Sequence, residues 1–291
     1  MGRPYYTIMI NVEALTFHYK TTPVFENFNW QAQKGDSWAV LGPSGCGKST
    51  LLALLAGLRF PSAGKVRING EALTRPRPHT GLILQDYGLL PWVTVRQNAG
   101  LGLDVRGFYG ADGVHAPLDL QREGAKTRSF SNFGFRSFAA SRFKESPSNQ
   151  AVDFWLERLG LEAVAEKYPA QLSGGQRQRT AIARTLALRP DLLLMDEPFS
   201  SLDAPTRESL QSLTLELAAE QGLTLVLVTH SIEEAALLGR RILLLNEPPN
   251  RMANVIENPG AGMPGYRESA EYAGLCKELR QSMDIDSGRA I

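Results

Sequence analysis

The stretch GPSGCGKST occupies residues 42–50, between a short apolar run and a segment with helical periodicity. Its glycines allow successive backbone N–H groups to turn inward around a chain of phosphates. The helix that follows directs its positive N-terminal end at the same anion. At this spacing Lys48 is expected to reach the β- and γ-phosphates of a nucleotide, and the Ser49 hydroxyl to bind Mg²⁺. The sequence therefore predicts a nucleoside triphosphate site lined by Gly42, Pro43, Ser44, Gly45, Cys46, Gly47, Lys48, Ser49 and Thr50.

The segments around this loop predict an α/β fold. Residues 37–41 form a strand before the loop, and apolar residues after it recur at helical spacing. Residues 191–196 and 223–229 are continuous apolar runs, typical of central parallel strands covered on both faces. A helix over about 206–220 joins them into a βαβ unit, whereas residues 8–41 are expected to form short strands. The leucines of the helix after the loop are Leu51, Leu54, Leu55 and Leu58.

Two carboxylates follow the apolar run at 192–195. Asp196 at a strand end is placed to hold Mg²⁺, and Glu197 could orient or deprotonate an attacking water. Alone this signal is weak, because many apolar strands end in solvated charges.

The segment LSGGQ at residues 172–176 predicts a second anion site. Ser173 precedes two glycines at the start of a helix expected over Gln176–Leu188. Gly174 and Gly175 permit close backbone approach, and the serine adds a hydroxyl. An ordinary helix cap is the alternative interpretation.

Taken in order, these motifs resemble the ATP-binding cassette (ABC) ATPases. The resemblance covers residues 10–103 and 151–245, and extends more loosely into the tail. It implies a P-loop NTPase with a parallel-sheet core, an antiparallel β subdomain and a helical subdomain. The motifs that carry it are GPSGCGKST, Gln85, LSGGQ, LLLMDEP, Ser201-Leu202-Asp203 and His230.

The resemblance also implies roles for residues outside the glycine-rich loops. Tyr19 would stack on adenine, Gln85 would contact Mg²⁺ and the attacking water, and His230 would contact the γ-phosphate. Two copies would pack head to tail, so that Ser173, Gly174, Gly175 and Gln176 of one copy close on the ATP held by Lys48 of the other. Asp203 would lie at that dimer interface.

Composition limits the class of protein. The formal net charge is +1 and the chain has two cysteines, so bulk charge gives no argument for nucleic acid binding and the cysteines suggest a reducing compartment. Neither a membrane span nor a signal peptide is evident.

A separate cassette predicts the ATPase subunit of an importer, bound to a permease at the cytoplasmic face of the membrane, with an external solute-binding protein. The alternative is a soluble ABC ATPase acting on nucleic acid or as a mechanochemical clamp.

The importer subtype rests on QDYGLLPWVTVRQNAGLGL at residues 85–103. This stretch resembles the nitrate, sulfonate and taurine importer group, and the resemblance implies that Leu89, Pro91 and Trp92 lie near the permease. Core packing remains an alternative for Leu89 and Val95.

The resemblance predicts an ABC ATPase domain over 10–245, with a helical subdomain over about 88–171. An irregular insertion is expected over about 104–150, either as a mobile surface segment or as a docking arm. The arm would use its aromatic residues, which are Phe130, Phe133, Phe135, Phe138 and Phe143. A tail over 246–291 should carry a short amphipathic helix whose apolar face packs on the core.

Overall fold

A computed structural model describes residues 7–109 and 148–286. The chain forms two compact units. The first contains the residues up to Gln85 together with those from Asp191 onward, and the second is Asp86–Pro190. The second unit extends past residue 171, where the predicted helical subdomain ends, because the helix that follows LSGGQ packs with the other helices of this unit.

The first unit contains a six-stranded sheet in the order β10-β9-β3-β8-β7-β6, parallel except for β10. The inner strands β3, β7 and β8 are continuous apolar runs and are almost wholly buried, as expected for strands covered on both faces. The six strands are β3 (Ser37–Leu41), β6 (Thr80–Ile83), β7 (Leu192–Asp196), β8 (Thr224–Thr229), β9 (Arg241–Leu244) and β10 (Asn254–Glu257).

The register of this sheet aligns the carboxyl ends of its central strands. Leu41 pairs with Thr229, and Asp196 pairs with Val228. In parallel sheets, loops that leave this edge form the usual ligand crevice. The glycine-rich loop, Asp196-Glu197 and His230 therefore emerge side by side.

An antiparallel sheet lies in the same unit, with the strand order β2-β1-β4-β5. Its strands are β1 (Ile8–Tyr19), β2 (Thr22–Gln33), β4 (Ala63–Ile68) and β5 (Glu71–Ala72). The expectation of short strands over 8–41 is wrong here, since β1 and β2 are 12 residues each. Their register shifts, for example between Val12 and Leu15, disturb the alternation that would have revealed two long strands.

One hydrophobic core joins the two sheets to helix α1 (Lys48–Leu55). Trp30 of β2 and Trp38 of β3 meet edge to face, with ring centroids 5.1 Å apart. The predicted apolar face of α1 is confirmed at its first three leucines but is wrong at Leu58, which is 56% exposed. The helix has already ended there, because Gly57 adopts φ 71°.

The second unit is built from α2 (Val95–Tyr109), α3 (Ser148–Arg158) and α4 (Gly174–Leu186), with α2 packed on both other helices. The irregular segment predicted over 104–150 is too long at both ends, since α2 continues to Tyr109 and α3 begins at Ser148. Arg106 donates to the Leu188 carbonyl over 2.8 Å, a tertiary contact that helps hold the end of α2 and that composition does not reveal. The five phenylalanines of the predicted docking arm lie outside the described residues.

Within the described residues, three further α-helices belong to the first unit and are α5 (Ala204–Gln221), α6 (Ile232–Leu238) and α7 (Ala270–Asp286). Helix α7 is the predicted amphipathic tail helix, and it packs on α6 with Leu275 and Leu279 buried. Among the residues that the structure describes, no helix combines the length and the apolar character that crossing a bilayer requires.

Candidate functional site

The glycine-rich loop connects β3 to α1 in a conformation that only glycine adopts readily. Gly45 has φ 82° and Gly47 has φ 109°, both in the left-handed region. A Cβ on Gly47 would lie 2.7 Å from Val24 Cγ1, and one on Gly42 would lie 2.3 Å from the Leu245 carbonyl oxygen. Both backbone shape and packing therefore require glycine in this loop.

Lys48 lies along the loop and is only 6% exposed. Its ammonium donates to the carbonyl oxygens of Gly42 and Pro43 over 2.7 and 2.9 Å. An ammonium has three donors, and the third makes only a long contact to a sulfur, which a phosphate oxygen can replace. The Cys46 thiol lies 4.0 Å from the same nitrogen, and burial raises its pKa.

Two side-chain oxygens meet where the start of α1 lies against the end of β7. The Ser49 hydroxyl donates to Asp196 Oδ1 over 3.2 Å. Burial raises the pKa of the Asp196 carboxyl, although the Ser49 hydrogen bond acts in the opposite direction. Two adjacent protein oxygens fit Mg²⁺, which commonly takes one or two side-chain ligands and completes its shell with phosphate and water.

Glu197 follows Asp196 with φ 42°, an unusual conformation for a non-glycine residue. Its N–H donates to the Val228 carbonyl over 3.0 Å, and its own carbonyl accepts the Ser200 hydroxyl over 3.0 Å. His230 Nδ1 lies 3.1 Å from Glu197 Oε1. Backbone strain of this kind concentrates at functional sites, where surrounding contacts maintain it.

Lys48, Ser49 and Glu197 line a cleft of 410 Å³ at the carboxyl edge of the sheet. Asp196 and His230 contact two of these lining residues, Ser49 and Glu197. Tyr19 lies at its mouth, 44% exposed, with its hydroxyl 3.4 Å from Thr50 Oγ1. The Arg59 guanidinium lies 5.5 Å from the centre of the Tyr19 ring, and Phe17 contacts the ring edge to face. The lining residues all belong to the first unit and are Tyr19, Thr22, Pro23, Val24, Ser44, Gly45, Gly47, Lys48, Ser49, Thr50, Glu197 and Pro248.

The segment 173–176 belongs to the second unit and forms the N-terminus of α4. The Ser173 hydroxyl accepts the Gln176 N–H over 3.2 Å, and the Gln176 side chain accepts the Ser173 N–H over 3.0 Å. This reciprocal arrangement is a capping box. The cap and the predicted anion site are compatible, because the serine oxygen accepts in the cap and its hydrogen remains free to donate.

The structure also shows the surroundings of two other predicted site residues, Gln85 and Asp203. Gln85 is exposed in the turn after β6. Asp203 caps α5 by accepting the Thr206 N–H over 3.2 Å, which lowers the pKa of its carboxyl. Pro205, next to that cap, is well placed, because proline at the first turn of a helix loses no hydrogen bond.

The turn after Gln85 depends on Arg184, which sequence reasoning missed. Arg184 of α4 donates to the carbonyl oxygens of Tyr87 and Gly88, each over 2.7 Å. Burial lowers the pKa of this guanidinium. Helix α4, which Ser173 caps, therefore holds the backbone of the turn after Gln85 through the hydrogen bonds of Arg184.

Asn98 organises the apolar loop over 89–94 from inside. Its side chain accepts the Leu90 N–H over 2.8 Å and donates to the carbonyl oxygens of Leu90, Val93 and Thr94. Trp92 remains 43% exposed, and Pro91 is exposed beside it.

The apolar residues of this loop divide into two groups. Val95, for which core packing was the alternative, is fully buried, and Val93 is also buried. Leu89 is half-buried. An apolar surface that includes Pro91 and Trp92 therefore faces outward, above a buried layer that Asn98 hydrogen-bonds to the loop backbone.

Comparison with known proteins identifies the family. A family model described as ABC transporter matches residues 25–200. The chain belongs to the ABC transporter family. It is 36% identical over 265 residues to the aliphatic sulfonates import ATP-binding protein SsuB of Bacillus cereus. That match covers 91% of this chain and 90% of the relative. It is 41% identical over 219 residues to the taurine import ATP-binding protein TauB of Pseudomonas aeruginosa, covering 75% of this chain and 70% of the relative.

Among solved structures, the chain is similar to the ATP-binding cassette MJ0796, described as a dimeric post-hydrolysis state bound to ADP and Pi. The identity is 29%, the TM-score is 0.62, and the match covers 86% of this chain and 98% of that one. The predicted ABC ATPase fold and the predicted resemblance to sulfonate and taurine importers are both confirmed.

Proposed function

We propose that this protein is the ATP-binding and ATP-hydrolysing subunit of an ABC importer. The observation that carries the proposal is the cleft at the carboxyl edge of the parallel sheet. There Lys48, the Ser49–Asp196 pair and the Glu197–His230 pair converge around a loop shaped for phosphate. The relatives, which are import ATP-binding proteins, support the transport role.

The residues divide the work of binding and hydrolysis. Loop N–H groups and Lys48 hold the phosphates, and Tyr19 stacks on the base. Ser49, Asp196 and Gln85 would hold Mg²⁺, which neutralises charge on the phosphates. Glu197 orients the attacking water or takes its proton. Because His230 Nδ1 faces Glu197, Nε2 is the nitrogen left for the γ-phosphate.

The second glycine-rich segment gives a reason for dimerisation. Residues 173–176 offer the N–H groups of Gly174 and Gly175, the Ser173 hydroxyl and a helix N-terminus, because the N–H groups of Ser173 and Gln176 are used in the capping box. These four residues include no cation. Such a segment binds phosphate weakly alone, and it gains by closing on ATP already held by Lys48 of a second copy. We propose a head-to-tail dimer that ATP closes and that hydrolysis opens, which couples chemistry to motion. The likeness to a dimeric cassette bound to ADP and Pi supports this arrangement.

Permease binding is assigned to the exposed apolar loop. Leu89, Pro91 and Trp92 present apolar surface on a support fixed by Asn98, and such surfaces on soluble domains commonly mark interaction sites. The protein would bind a permease peripherally at the cytoplasmic face of the membrane. A solute-binding protein on the outer side of the membrane would supply a small solute. The sulfonate or taurine class is proposed because the relatives are sulfonate and taurine import proteins.

The decisive experiment uses Glu197→Gln. Loss of the carboxylate should stop hydrolysis while ATP binding is retained, so the protein should elute as a dimer in gel filtration with ATP and Mg²⁺. Without ATP it should elute as a monomer. A variant that stays monomeric at saturating ATP would count against the closed dimer.

Transport is tested separately from ATP hydrolysis. The ATPase rate should rise when the protein is reconstituted with its permease and a loaded binding protein. Stimulation by DNA together with indifference to permease would favour the nucleic acid class instead.

A further inference from the structure

Asn250 lies beyond β9, outside every motif of the nucleotide site, and is only 6% exposed. Its side-chain amide donates to the Cys46 carbonyl over 2.8 Å and to the Val24 carbonyl over 3.3 Å. Its side-chain oxygen accepts the Asn246 N–H over 2.9 Å. One buried amide therefore connects the glycine-rich loop, β2 and the segment after the last parallel strand.

The hydrogen bond to Cys46 has a consequence for the next peptide group. In a trans peptide the C=O and the following N–H point to opposite sides of the chain. Asn250 holds the Cys46 oxygen on the buried side, so the Gly47 N–H is directed to the opposite side. Gly47 lines the cleft, and its φ of 109° is compatible with this orientation of the loop.

The backbone of Asn250 fixes the position of its side chain. The Asn250 N–H donates to the Val24 carbonyl over 2.9 Å, and its carbonyl accepts the Glu26 N–H over 3.0 Å. These bonds join the residue to β2 as a short bridge, at Phe25. The amide therefore reaches Cys46 from a support that does not depend on the loop itself.

We propose that Asn250 is a positioning residue for phosphate binding, which acts by fixing the Cys46–Gly47 peptide so that the Gly47 N–H faces the phosphates. The proposal rests on the nucleotide site proposed above. It adds a requirement that the loop sequence does not contain, namely a donor supplied from more than 200 residues further along the chain. Because the effect acts on the phosphate cradle, it should be independent of the base.

The chain contains a matched control in Asn258, which is 3% exposed. The Asn258 amide also donates to two carbonyl oxygens, those of Ala236 and Gly239, each over 2.7 Å, and its oxygen accepts the Tyr266 hydroxyl. The two asparagines thus have similar burial and bonding. Only Asn250 contacts the glycine-rich loop.

The test compares Asn250→Leu with Asn258→Leu in the full chain. Leucine keeps the branch at Cγ, lacks hydrogen-bonding atoms and adds no charge, so electrostatic repulsion of phosphate does not enter, and the added bulk is the same in the two variants. Binding of ATP and of inorganic tripolyphosphate is measured by calorimetry below the unfolding temperature of both variants. We expect Asn250→Leu to weaken both ligands by about tenfold, as loss of an oriented donor to a charged group implies, and Asn258→Leu to change them less than twofold.

The outcomes separate three cases. Equal losses in the two variants would mean general destabilisation and would overturn the proposal, as would unchanged affinity in Asn250→Leu. Failure of the unchanged protein to bind ATP would instead remove the proposed function. Should Asn250→Leu not fold, Asn250→Ser and Asn258→Ser take the places of the leucine variants, with the same expected contrast.

Discussion

The two glycine-rich segments of this protein, residues 42–50 and residues 173–176, differ in the groups that they offer to an anion. The first has glycines with φ of 82° and 109°, a buried lysine and a polar support from Asn250. The second has a serine with φ −65°, an exposed capping box and no cation. The first segment therefore has the backbone shape and the cation expected of a phosphate cradle, whereas the second has the geometry of an ordinary helix start.

This difference supports the proposal that the first segment binds ATP alone and that the second acts only against ATP held by another copy. A cradle with a cation and several converging N–H groups holds a polyphosphate without help. A helix N-terminus of ordinary geometry contributes about 1 kcal/mol or less toward a charge at its surface. Closure of the proposed dimer is therefore expected to be weak and reversible.

The largest expected effect comes from the cation. Lys48→Ala removes the charge-assisted contact to the phosphates and should lower ATP affinity by at least about 100-fold. Equilibrium binding of ATP measures it. Unchanged affinity would refute the assignment of Lys48 and with it the difference between the segments.

The next comparison makes the same change in both segments. Gly47→Ala places a Cβ 2.7 Å from Val24 Cγ1 at a positive φ, which should reduce the free energy of unfolding by about 3 kcal/mol. Gly174→Ala, at a helical position, should leave the unfolding free energy within about 0.5 kcal/mol. Denaturant titration of both variants provides the measurement, and similar losses would show that the two backbones are equally constrained.

Ser173→Ala tests the second segment directly. It should cost about 1 kcal/mol of stability through the lost cap, leave ATP binding to the monomer unchanged, and lower the ATPase rate by about tenfold through the lost hydroxyl donor. Ser269→Ala is the matched control, because Ser269 also accepts the N–H of the residue three positions on. An equal fall in ATPase rate in both variants would indicate that the cap alone matters.

The last prediction concerns contact with the adenine base, and the smallest expected change in ATP affinity is that of Tyr19→Phe. Tyr19→Ala should weaken ATP by about tenfold, as loss of one stacking contact implies, and leave tripolyphosphate unaffected. Tyr19→Phe should change ATP affinity less than about twofold, because the hydroxyl contact to Thr50 is long at 3.4 Å. A tripolyphosphate affinity that falls with ATP in Tyr19→Ala would place Tyr19 in the phosphate cradle instead.

Local signals made much of the site predictable. The loop at 42–50 needs glycines at fixed spacing, and β3, β7 and β8 are apolar runs with distinct ends. The residues that the sequence marked at these ends, Asp196, Glu197 and His230, follow directly from those strands. The structure brings them to one edge because parallel strands end together.

Other parts depended on contacts between distant positions. Asn250 reaches Cys46 across 204 residues and Arg184 reaches Gly88 across 96, and neither side chain stands out from its neighbours. Their residue types are common in loops and on helix surfaces, so no pattern distinguishes them. The end of α1 before Leu58 and the continuation of α2 to Tyr109 were missed because local glycine conformation and tertiary contacts override a simple periodicity.

Asn98 also has a consequence for how new transporters could arise. Because this buried amide sets the backbone of the loop from beneath, the exposed side chains of Pro91 and Trp92 carry little of the loop's stability. Their identity can change while the loop keeps its shape and the ATP cleft keeps its residues. If the permease docks at Pro91 and Trp92 as proposed, exchange of these outward-facing side chains would suit the protein to a different permease and leave the residues of the nucleotide site unchanged.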